Sequence, residues 1–86
     1  MKLMIMIIND QDAEPLTQAF TAENFRLTRI ASTGGFLRRG VATMLLGIED
    51  DQVQAAVAIA RKAIPHRENE KRATLFVVPV ENFEQV

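Results

Sequence analysis

An α+β sandwich with the chain order βαββαβ is predicted for this sequence by three observations. Apolar runs of strand length open the chain, recur twice in its middle and close it. Two amphipathic stretches at helical spacing, each introduced by acidic residues, separate the runs. A glycine pair falls between the two middle runs, where a hairpin must turn. Right-handed crossovers in this order give four antiparallel strands with two helices on one face, the ferredoxin-like arrangement.

Each element follows from its residues. Lys2–Ile8 is a nearly unbroken apolar run, as expected of a central strand, and "NDQD" ends it. Asp10 or Asp12 can cap the next segment, because a carboxylate accepts from the free N–H groups of a helix start. Glu14 suits the positive end of a helix, Pro15 is tolerated in a first turn, and Leu16, Ala19 and Phe20 recur at helical spacing. The first helix is therefore placed at Ala13–Glu23. Phe25–Thr33 reads as the second strand and Val41–Ile48 as the third, with Gly34 and Gly35 at or near the turn. "EDDQ" caps a second helix, whose stripe runs Val53, Ala56, Val57, Ala60 and Ile64 until Pro65 stops it. "HRENEKR" reads as a solvated loop, Ala73–Val80 as the last strand, and "ENFEQV" as a tail.

Composition narrows the classes of function. The chain has 86 residues, 48% hydrophobic and 24% charged, which predicts one globular domain spanning 1–86. A formal net charge of -1 supplies no global field for nucleic acid or a membrane surface, so any anion site must arise from local clustering. Cysteine is absent, which excludes disulfide and thiol chemistry. The opening "MKLMIMIIND" is too short to span a membrane and carries no small-residue cleavage site, so the expected location is cytoplasmic.

The sheet faces carry an assembly prediction. Helices cover one face, so the other should alternate toward polar residues. Instead Leu3, Ile5 and Ile7 alternate with Met4, Met6 and Ile8, and Phe76 and Val78 with Leu75 and Val77. A bare apolar face of that extent predicts burial in a closed homo-oligomer.

Chemistry concentrates in one interval. Between Asn24 and Ile48 there is no Asp or Glu, yet Arg26, Arg29, Arg38 and Arg39 fall there. Arg26 and Thr28, two residues apart, share a strand face and match a phosphate, which accepts directional hydrogen bonds. The Gly34–Gly35 pair can present backbone N–H groups to an anion, and Phe36 and Leu37 an apolar surface to a base. The same residues also fit a plainer account: arginines that solvate an edge strand and a glycine turn. Full P-loop spacing is missing. So are the aromatic run of an RNA-recognition module, a nucleophile beside a base, and metal-ligand spacing. His66 stands alone in a charged loop and reads as a bystander.

"NFRLTRIASTGGFLRRG", followed by "LLGIEDDQV" and "FVVPVENFEQV", resembles the PII-like cyclic di-AMP receptor proteins over nearly the whole chain. The resemblance implies a homotrimer of ferredoxin-like protomers that binds a cyclic dinucleotide, cyclic di-AMP, in clefts between subunits. It implies no catalysis, no metal and no cofactor, and a cytoplasmic signalling role toward an undefined protein target. By the same resemblance Asn24, Arg26 and Thr28 match the second-strand motif, the last two as phosphate ligands. Gly35, Phe36 and Leu37 match a loop that encloses one adenine. Gly47 matches a close approach of a base to the backbone, Phe76 a last-strand aromatic near the base, and Gln85 a glutamine at the ligand edge. Two features depart from the pattern. Val41 stands where these receptors usually carry Asn, and "PHRENEKR" replaces a long excursion before the last strand. The alternatives are a PII-like sensor of another adenine nucleotide or anion, and a structural or protein-interaction trimer without ligand.

Overall fold

The computed structural model describes residues 1–30, 40–65, 73–82 and 84–85. Its elements are β1 (Lys2–Asn9), α1 (Ala13–Ala22), β2 (Thr28–Ile30), β3 (Val41–Ile48), α2 (Val53–Ala63) and β4 (Ala73–Pro79). One antiparallel sheet has the order β2-β3-β1-β4, and the chain order is βαββαβ. The two longest apolar runs, β1 and β3, are the central strands.

Side-chain alternation splits this sheet into two layers. Met4, Met6 and Ile8 of β1 and Ala42, Met44, Leu46 and Ile48 of β3 are buried. They meet Leu16 and Phe20 of α1 and Ala56 and Ala60 of α2 in one core. Each large side chain in it contributes about 1.5–3 kcal/mol relative to exposure. Short 3-10 turns, Asp10–Asp12 and Asp50–Gln52, lead into the helices. The second is closed by a reciprocal capping box, in which the Glu49 backbone N–H donates to Gln52 Oε1 at 2.9 Å. The N-terminal ammonium donates to Asp50 at 3.0 Å and, with its charge and that of Lys2, holds that carboxyl below the usual carboxylate range.

Two local expectations need correction. Neither Asp10 nor Asp12 makes a side-chain cap bond; the Asp10 carboxylate accepts from the Arg29 guanidinium instead. The second strand begins at Thr28 rather than Phe25, because the backbone is still turning out of α1. Asn24 adopts a left-handed conformation with φ 65°, its N–H donates to Thr21, and the Phe25 N–H donates back to Phe20 at 2.9 Å. That reversal packs the Phe25 ring edge-on against Phe20, with centroids 5.8 Å apart. Beyond Ile30 the predicted strand, with the glycine pair, lies outside the described residues.

Candidate functional site

The second sheet face carries no described helix. Register fixes its rows. Thr28, Leu45, Ile5 and Phe76 form one row from edge to edge, and Ile30, Thr43, Ile7 and Thr74 the next. On the other side lie Gly47, Leu3 and Val78. Ile30, Phe76 and Val78 are 42%, 49% and 37% exposed, so the face is apolar and open. Both faces of β1 and β4 are apolar, as alternation in the sequence indicated.

Sequence-predicted site residues fall into two groups on this frame. Asn24, Arg26 and Thr28 are exposed on the approach to, and in, the β2 edge strand. Thr28 pairs with Leu45, two residues from the exposed Gly47, so these positions belong to one side of the sheet. Phe76 lies on β4, the opposite edge, in the same row as Thr28. Three strand spacings separate them, roughly 14 Å at ~4.8 Å each. Gln85 is exposed in the tail beyond Val80, whose N–H donates to the Met1 carbonyl at 3.0 Å. Gly35, Phe36 and Leu37 lie outside the described residues.

The arginine cluster resolves unevenly. Arg29 alternates with Thr28, lies opposite Met44 on the helix side, and is paired with Asp10. It is no part of an anion site on the open face. Arg26 makes no ion pair among the described residues. It precedes the strand, so it does not share a strand face with Thr28 in the strict sense; both are nonetheless exposed at one edge. A guanidinium with no ion pair among the described residues and a hydroxyl, both exposed at the rim of an apolar face, can hold a phosphate while the face accepts rings.

Two features escaped the sequence reading. Asn24 serves as the left-handed residue that ends α1, a role its side chain favours over that of most residues. A cleft of about 360 Å3 lies at the far end of β1, lined by Asn9, Asp10, Gln11 and Gly40. Gly40 there has φ +84°, which glycine adopts without strain. No cluster of metal-ligating side chains occurs among the described residues, and no described helix is long and apolar enough to cross a membrane.

Comparison with known proteins supplies the remaining findings. A family model described as the cyclic-di-AMP receptor matches residues 1–71. It takes in β2, β3 and the Gly34–Gly35 pair and stops short of β4. A crystal structure of a functionally unknown protein from Pediococcus pentosaceus ATCC 25745 is similar, at 37% identity and a TM-score of 0.79. The match covers 99% of this chain and 96% of that one.

Proposed function

The chain belongs to the cyclic-di-AMP receptor family, and from that premise we propose that it is a non-enzymatic signalling protein of the cytoplasm. It acts as one ligand-binding domain over residues 1–86, assembled as a homotrimer that takes cyclic di-AMP in clefts between subunits. The observation that carries this reading is the division of the candidate site between the two edges of one sheet. Arg26, Thr28 and Gly47 lie toward one edge and Phe76 on the other, across an open sheet face that offers a ligand a floor but no second wall within one protomer. A head-to-tail ring brings the β2 edge of one copy to the β4 edge of the next and buries the open apolar faces. Arg26 and Thr28 then meet the phosphates, and Phe36, Leu37 and Phe76 pack against the bases. Asn24, Gly35 and Gln85 complete the rim. No cofactor or metal enters this account, and the downstream partner is a protein that reads the liganded ring.

Calorimetry with cyclic di-AMP, cyclic di-GMP and ATP tests the reading. A charge-assisted hydrogen bond contributes roughly 1.5–3 kcal/mol. Arg26→Ala is therefore expected to weaken cyclic di-AMP binding by about ten- to a hundredfold at unchanged melting temperature. Absence of heat with all three ligands would retire it. The apolar Val41 favours a second reading, a sensor of another adenine nucleotide or anion on the same scaffold. Tight binding of ATP in preference to either cyclic dinucleotide would select it.

A further inference from the structure

We infer that Asn9 reads the adenine base of the bound nucleotide, and so sets the choice of base; this rests on the reading of the site as a cyclic-dinucleotide cleft. Asn9 is the last residue of β1 and pairs in register with Val41, the first of β3. By alternation it shares the open face with Leu3, Ile5 and Ile7. Val41 brings no polar side-chain atom to that row, so among the described residues the Asn9 carboxamide is its hydrogen-bonding side chain. The carboxamide also makes no hydrogen bond among the described residues. Asn9 precedes a 3-10 turn, where a side-chain cap bond is the usual use of asparagine, yet it makes none. It is half-buried and lines the cleft of about 360 Å3 with Asp10, Gln11 and Gly40. The Asp10 carboxylate in the same cleft is held by Arg29, which leaves the amides as the groups free to read a neutral ring edge.

Chemistry and distance both fit adenine. A carboxamide offers a donor and an acceptor side by side, the complement of the acceptor N7 and donor N6 of adenine. Asn9 lies four residues along the sheet and two strands across from Thr28. That is about 16 Å between backbones, from ~3.3 Å per residue and ~4.8 Å per strand. Side chains and hydrogen bonds take up part of the span at each end. What is left is the reach of a nucleotide from phosphate to base, larger than one anion and smaller than a second domain.

The test is calorimetric titration of the wild type, Asn9→Ala and Asn9→Asp with cyclic di-AMP and cyclic di-GMP, with melting temperatures recorded in parallel. Wild type is expected to prefer cyclic di-AMP. Asn9→Ala should lose about ten- to a hundredfold of that preference, the range for one bidentate amide–base contact. Asn9→Asp keeps the shape but only accepts, so its preference should move toward guanine, whose Watson–Crick edge donates. Because Asn9 makes no cap bond, all three proteins should melt together. Wild-type selectivity retained in both variants, or a fall in stability with selectivity intact, would overturn the inference alone. Failure of the wild type to bind either dinucleotide would instead overturn the site reading and take this inference with it.

Discussion

Thr43 carries a hydroxyl with no hydrogen-bond partner among the described residues, on a side chain only 8% exposed. It stands mid-sheet between Ile30 and Ile7, where an unmet hydroxyl costs about 1–3 kcal/mol. Thr43→Val keeps the shape and removes that cost, so it is expected to raise stability by about 1 kcal/mol in urea unfolding. A loss of stability would show that the hydroxyl is bonded in solution. Arg29 makes the complementary point. Its pair with Asp10 is exposed on both sides, 52% and 55%, and such pairs contribute about 0–1 kcal/mol. Its worth lies in position: it anchors the short edge strand to the turn after β1. A sequence shows four arginines in an acid-free interval, but only register shows that Arg29 reaches an acid nineteen positions away.

Among the elements, β1, β3, β4 and both helices were legible because each satisfies one strong pattern. The long apolar runs of β1 and β3 take the two central places in the sheet, β4 reads as a strand from its β-branched and aromatic residues, and the α2 stripe from Val53 to Ile64 has one apolar face that the core takes up. The start of β2 was not legible. Phe25 and Leu27 look like strand residues, but their apolar groups pack on the core while the backbone climbs from α1 to the sheet edge. Local pattern cannot distinguish that path from a strand, because both bury alternate side chains. Asn24 decides where the climb begins. With φ 65° it tolerates glycine and resists β-branched residues. Asn24→Gly is expected to melt within a degree or two of wild type, while Asn24→Val should lose about 1–2 kcal/mol by thermal unfolding. Equal stability of the two variants would refute the left-handed turn. Comparing their ligand affinities then separates the cap from any contact that the carboxamide makes, since Asn24→Gly removes the amide and preserves the backbone.

At the scale of the whole molecule, the sequence places Arg26, Thr28 and Phe76 in one motif set but cannot tell how far apart they lie. Distance follows from the strand order β2-β3-β1-β4, which sends Thr28 and Phe76 to opposite edges of one row. Either these residues serve one site made by two copies, or each site lies within a single chain. Mixing variants decides. Arg26→Ala and Phe76→Ala each spoil every cleft of a pure ring, one from each side. Suppose they are unfolded together in equal amounts and refolded into random rings. A cleft between neighbours then draws its β2 edge from a Phe76→Ala copy half the time, and its β4 edge from an Arg26→Ala copy half the time. About one quarter of the clefts regain both wild-type halves, and another quarter lose both. Calorimetry of the mixture should therefore show wild-type affinity for cyclic di-AMP at about a quarter of the wild-type stoichiometry. A site confined to one protomer permits no such recovery, because every copy in the mixture carries one lesion. No high-affinity phase after refolding, with rings intact by light scattering, would place the site within a single chain.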